Sequence, residues 1–152
     1  MGRLLKKKRL TVATAESCTG GMVAARITSV PGSSRYFLGS VVSYSNEVKT
    51  NVLGVSPETI RRHGAVSSET AAEMAEGVCR VVGADVGIAV TGVAGPSGGT
   101  KVKPVGLVCV CVRVEGQSVV ERHLFHGGRR AVKEQSAAAA LELCRRVLKG
   151  GV

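Results

Sequence analysis

The sequence predicts an α/β fold, a mixed β-sheet covered by helices on both faces. Short apolar runs rich in β-branched residues alternate with segments of helical period, in the order βαβαααβββα. Pro31-Gly32, Gly54, Gly64 and Gly83 each fall where an apolar period ends, as helix stops should. With two Tyr, two Phe and no Trp, the core has to be built from Val, Ala, Leu and Ile, which suits buried strands under closely packed helices. A length of 152 residues fits a single domain over 1–152, large enough to bury a real core.

Residues 10–15 (LTVATA) read as the first buried strand. The nine residues before it are too few for a stable helix of ordinary length, and the run Lys6-Lys7-Lys8-Arg9 reads as a solvated tail. Met22–Ile27 follows at helical spacing, with Val23, Ile27 and Val30 along one face. Residues 38–44 (LGSVVSY) make a second strand, after which Ser45 or Asn46 caps a helix running to Val52. Ser56-Pro57 puts proline at the first position of a short helix that stops near Gly64. Ser67 or Ser68 opens a longer helix whose apolar face holds Ala72, Met74, Ala75, Val78, Val81 and Val82, closed by Gly83. Residues 86–91 (VGIAVT) form the third strand. A glycine-rich loop from Gly92 to Lys103 then leads to strands 105–114 and 118–125, a hairpin turning around Glu115-Gly116-Gln117. The last helix begins near Gly128-Arg129, with Leu141, Cys144 and Leu148 on one side and Glu142, Arg145, Arg146 and Lys149 on the other.

Composition narrows the function classes. No apolar run approaches the roughly 20 residues needed to cross a bilayer, and no signal peptide is legible, so a cytoplasmic protein without membrane contact is expected. Five cysteines form no CxxC pair and no metal-ligand spacing, which points to reduced thiols and to no metal site. Cys109 and Cys111 should face one side of a strand as small buried hydrophobes. The net charge of +10 favours an anionic partner, nucleic acid or a phosphorylated metabolite. Single-stranded nucleic acid needs aromatic stacking platforms, which this chain almost lacks, so the balance leans to a small anionic ligand.

Four segments could carry chemistry. At Ala15-Glu16-Ser17-Cys18-Thr19-Gly20-Gly21 a serine leaves a buried strand and enters a helix, where backbone N–H groups lack partners and glycines admit a ligand. Such a turn can present a nucleophilic hydroxyl beside an oxyanion site, although by spacing alone Ser17 or Thr19 reads better as the helix N-cap. A hydroxyl needs a base. His63, His123 and His126 form no pattern, which leaves Lys49 in the first turn of the helix after Tyr44; burial and the positive helix end would both depress its pKa. The glycines after Thr91 are spaced GxxGxxG and lead to a strand, so they are no dinucleotide fingerprint but could wrap a ligand. Arg129 and Arg130 at a helix start could meet a phosphate.

Together, AESCTGG (15–21), YSNEVK (44–49), HGAVS (63–67), TGVAGPSGG (91–99) with KPVG (103–106), and the Arg129 region resemble the CinA C-terminal-domain family in order and spacing from about residue 10 to 148. Characterised members include nicotinamide-nucleotide amidases. The resemblance implies a three-layer α/β/α sandwich and hydrolysis of the carboxamide of nicotinamide mononucleotide to nicotinate mononucleotide and ammonia. It implies Ser17 as nucleophile, Lys49 as base and Tyr44 as an assisting group. It places Thr19, Gly20, Gly21, Ser34, Asn46, Thr91, Gly92 and Gly95 along the pocket and Arg129 near the phosphate. No metal or organic cofactor is implied, the partner being a small pyridine mononucleotide, with room for a homo-oligomer. Two positions depart from the family pattern: Gly128 stands where an acid is common and Lys133 where an arginine is common, and lysine lacks the bidentate fork. Two other classes of function stay open, a non-catalytic nucleotide-binding regulatory module of the same fold, and nucleic-acid binding through the basic cluster.

Overall fold

The computed structural model describes residues 1–150. One five-stranded sheet, in the order β2-β1-β3-β4-β5, organises the chain. Its strands are β1 (Val12–Glu16), β2 (Phe37–Val42), β3 (Val86–Gly92), β4 (Leu107–Val114) and β5 (Gln117–Leu124). β1 lies parallel to both β2 and β3, and β3, β4 and β5 are antiparallel in succession, so the sheet is mixed as expected. Six helices cover it: α1 (Gly2–Lys8), α2 (Met22–Thr28), α3 (Asn46–Asn51), α4 (Pro57–His63), α5 (Ser68–Val82) and α6 (Arg129–Leu148).

The strand sequences sort the two faces by size. Val12, Val86, Ile88, Val90, Val108, Val110 and Val112 point to one core, which Leu5 of α1, Val23 and Ile27 of α2, and Val132 to Leu148 of α6 complete. Their neighbours Ala13, Ala15, Ala89, Cys109 and Cys111 point to the other, against Met74, Ala75 and Val78 of α5 with Leu53 and Val55. Alternation along a strand makes this possible, since successive side chains leave opposite faces. The small-residue face lets α5 settle close to the sheet. A Cβ on Gly87 would stand 2.2 Å from the Ala75 carbonyl oxygen, and one on Gly77 would stand 2.0 Å from that of Leu53. The result is a three-layer α/β/α sandwich, with Cys109 and Cys111 on one face as expected.

The caps follow the sequence closely. Ser45, Ser56 and Ser67 accept from the N–H of Val48, Glu58 and Thr70, Pro57 opens α4, and Gly83 ends α5 in the left-handed conformation. Several expectations need correction. The N-terminal residues form the two-turn helix α1 instead of a solvated tail, because Leu5 is fully buried in the core beside α6 and tertiary packing supplies what so short a helix lacks. Its Lys6-Lys7-Lys8 run occupies the last turn, where cations suit the helix dipole. α2 ends at Thr28, so Val30 is 50% exposed and not on its apolar face. On α5 the inward set is Ala71, Met74, Ala75 and Val78, with Ala72 half-buried and Val81 48% exposed. β2 stops at Val42, which leaves Tyr44 in the connection beyond it.

Candidate active site

The carboxyl ends of β1, β2 and β3 meet at one edge of the sheet, where parallel strands deliver their outgoing loops together. β1 hands over to Ser17, whose N–H donates to Val90 O at 2.9 Å and so ties the residue to β3. β2 hands over to Ser43, whose N–H donates to Glu16 O at 2.8 Å. α3 follows immediately and turns Lys49 back beneath this edge. Lys49 Nζ lies 3.0 Å from Ser17 Oγ, donates to Ser43 O at 2.6 Å and approaches Tyr44 O at 3.5 Å. Lys49 is 1% exposed and Ser17 8%. No carboxylate is paired with this amine among the described residues, and burial lowers its pKa from the ordinary 10.5, against a weaker opposing pull from Cys18.

The expected contribution of a helix end to that depression is corrected. Lys49 is the fourth residue of a six-residue helix and sits in its last turn, and burial is the depressing cause. Cys18, beside Ser17, is a buried thiol. Burial pushes its thiol up to about 11, against the weaker pull of a backbone hydrogen bond, so it stays protonated near neutrality.

A cavity of about 270 Å³ opens over the pair. Ser17 and Lys49 line it with Tyr44 and Asn46 from the β2–α3 connection, and Thr91, Gly92 and Gly95 border it from β3 and the glycine-rich loop. Thr91 Oγ1 donates to Ala65 O at 2.7 Å, fixing the wall between β3 and the segment before α5. Arg129 reaches in from α6. Its Nη1 donates to Gly95 O at 2.8 Å and its Nη2 to Tyr44 Oη at 2.7 Å, so one guanidinium links α6, the loop and the tyrosine across the mouth. The phenol of Tyr44 is thus engaged with Arg129, while its main-chain oxygen approaches the lysine.

Three of the expected pocket residues belong to the turn rather than to the wall. Thr19 is buried with its Oγ1 unpartnered, and Gly20 and Gly21 have φ of 61° and 97°, values that glycine adopts at little cost. Gly20 faces the Lys133 amine. Ser34 is not brought to the site. It lies exposed in a short 3-10 turn before β2, at the end of that strand remote from Ser17. Arg130 pairs with Glu134 on the exposed face of α6 instead of joining Arg129.

The residue that spacing did not single out is Glu16. Its fully buried carboxylate accepts from the backbone N–H groups of Gly21 at 3.1 Å, Val23 at 3.0 Å and Ala24 at 2.8 Å. These are the first amides of α2. The helix start expected to face a ligand is therefore filled by a side chain from the preceding strand, and neither Ser17 nor Thr19 is the cap. An acid ending a fully buried strand, close before a glycine turn, is the signal that could have found it. Among the described residues no three His, Cys, Asp or Glu side chains gather as a metal-ligand cluster. No helix among them is long and apolar enough to cross a membrane.

Comparison with known proteins places the chain in a family. The CinA-like protein of Chloroherpeton thalassium is 49% identical over 152 residues, covering 97% of this chain and 36% of that protein. The CinA-like protein of Thermotoga maritima is 47% identical over 148 residues with the same coverages. This chain thus spans about a third of the length of these curated relatives. Among solved structures, the competence/damage inducible protein CihA from Agrobacterium tumefaciens superposes with a TM-score of 0.92 at 38% identity, over 95% of this chain and 88% of that one. The CinA superfamily protein of Klebsiella pneumoniae 700603 gives 0.94 at 36%, over 97% and 92%. The CinA C-terminal domain family matches residues 1–148, and the chain belongs to that family.

Proposed function

We propose that the chain is an amidohydrolase of the serine–lysine type, acting on the carboxamide of nicotinamide mononucleotide. The observation that carries this reading is the buried, carboxylate-free Lys49 amine 3.0 Å from the Ser17 hydroxyl under an open cavity. A neutral amine has two N–H donors and one lone pair. With Ser43 O and Tyr44 O facing the donors, the lone pair is left for Ser17 Oγ–H. Burial favours that neutral form, which is the form a general base needs.

In the first step Ser17 Oγ attacks the amide carbon while its proton passes to Lys49. The tetrahedral adduct then collapses as the C–N bond breaks, and the Lys49 ammonium returns the proton to the departing nitrogen as ammonia leaves. Water attacks the resulting ester with Lys49 again accepting a proton, the Ser17 oxygen is reprotonated, and nicotinate mononucleotide is released. Asn46, Thr91 and the backbone at Gly92 and Gly95 orient the substrate, and Arg129 with Tyr44 borders the mouth on the phosphate side. Ammonia release should be seen with the mononucleotide and fall by about 10³-fold or more in Ser17→Ala. Undiminished release by that variant would end the proposal.

One observation favours a second reading, a nucleotide-binding module without turnover. Arg129 is already committed to Gly95 O and Tyr44 Oη, and Lys133 stands where a bidentate partner is common. Calorimetric binding of the mononucleotide with no ammonia near neutral pH would support it.

A further inference from the structure

We infer that Glu16 is a positioning residue, which sets the distance between Ser17 and Lys49 from both sides without touching the substrate. The inference rests on the reading of Ser17 as nucleophile and deepens it.

Glu16 immediately precedes Ser17 and is the last residue of β1. Its side chain does not continue the apolar core. It folds over the turn and takes the Gly21, Val23 and Ala24 amides, which fixes where residues 17–21 enter α2. At its start the turn is also held by the Ser17 N–H bond to Val90 O at 2.9 Å and by the buried Cys18, but residues 19–21 carry less. Gly20 N–H bonds back to Ser17 O at 3.1 Å, Met22 N–H to Thr19 O at 3.3 Å, and Thr19 Oγ1 has no partner. Two consecutive glycines at positive φ would otherwise leave the turn with wide conformational freedom.

The backbone of the same residue holds the other half of the pair. Glu16 O accepts from Ser43 N–H at 2.8 Å, and Ser43 O is the nearest acceptor of the Lys49 amine, at 2.6 Å. A single residue therefore connects the serine, through its carboxylate, with the lysine, through its carbonyl. The carboxylate is not a partner of Lys49: it is satisfied by three backbone donors, with the Thr14 hydroxyl at 3.4 Å, and it is not among the groups that act on the lysine's pKa. Its effect is geometric, so it should change how fast Ser17 reacts and leave unchanged the pH at which Lys49 becomes competent.

The test reads Ser17 directly, with a fluorophosphonate as a stoichiometric serine probe on the full chain, at a temperature where circular dichroism shows the variant folded. Glu16→Gln keeps the size but turns one acceptor into a donor facing an N–H. The maximal labelling rate should fall by about 10²-fold, the probe's half-saturation should stay within about twofold, and the acid limb of the labelling profile should not move. Replacement of Ala24 by lactic acid removes the N–H at 2.8 Å, at the cost of a weaker Val23 carbonyl acceptor, and serves if Glu16→Gln does not fold; a loss of about tenfold is expected.

Labelling of either variant at the wild-type rate overturns the inference, and so does a loss that merely tracks the unfolded fraction. A displaced acid limb would mean that Glu16 acts on the Lys49 charge, which also overturns it. Failure of the underlying reading looks different. In that case wild-type Ser17 is not labelled, or Ser17→Ala labels as the wild type does.

Discussion

In the proposed mechanism the Ser17 hydroxyl gives its proton to Lys49, 3.0 Å away, and that transfer turns on the amine being uncharged. Burial disfavours the charged amine, and among the described residues no carboxylate is paired with Lys49 to offset that. Because burial lowers the amine below 10.5, the neutral fraction grows as pH rises through the lowered value. The acid limb of activity should therefore lie below the ordinary lysine range. Lys49→Arg, which cannot give up its proton, should lose about 10³-fold or more at every pH in a coupled ammonia assay. Stability carries the same sign. Below the lowered pKa the folded chain bears the full cost of a buried ammonium. Between that value and 10.5 the unfolded chain binds more protons, so the wild type gains stability as pH rises. Lys49→Met has no such dependence. Urea midpoints measured near neutrality and again in mild alkali should show the difference moving in favour of the wild type. Of these residues, Ser17, Lys49, Tyr44 and Arg129 were legible as polar groups at strand and helix ends. Glu16 was not, because a buried acid is explained only by donors that become its neighbours after folding.

The site depends on elements that meet with little tolerance. α5 rides on a face of Ala, Gly and Cys side chains, and a Cβ on Gly87 would enter the Ala75 carbonyl and approach Cys79 Sγ at 2.7 Å. Gly87→Ala should cost about 1–3 kcal/mol, read as a lowered denaturant midpoint with unchanged slope, since neither helix backbone nor strand backbone can give way cheaply. Sequence patterning found α5, α6 and all five strands: α5, α6, β1, β3 and β4 bury apolar side chains, while β2 and β5, only half-buried, show through their β-branched composition and flanking turns. It missed α1, whose seven residues are helical only because Leu5 is held in the core beside α6. It also extended β2 to Tyr44, where composition continues the strand but pairing with β1 ends at Val42.

Across the whole molecule, the net charge of +10 and the cationic α6 side of the cavity favour an anionic substrate. KM for the mononucleotide should rise with ionic strength while kcat holds, a shift of about severalfold between dilute buffer and molar salt. A KM indifferent to salt would detach Arg129 from phosphate recognition. The amino-acid order by itself determined the layers. The alternation of Val or Ile with Ala, Gly or Cys along β3 and β4 matches a thick and a thin core. The serine caps and glycine stops set most helix boundaries in the same way, because caps and side-chain periodicity are local properties. What only the tertiary structure decided is long-range. Ser17 and Lys49 are 32 residues apart, Arg129 and Tyr44 are 85, and Arg129 and Gly95 are 34. Parallel pairing of β1 with β2 and β3 brings their ends to one edge, and no local pattern encodes a distance across that edge. It is fixed when the strands register, with Glu16 closing the turn on one side and holding Ser43 on the other.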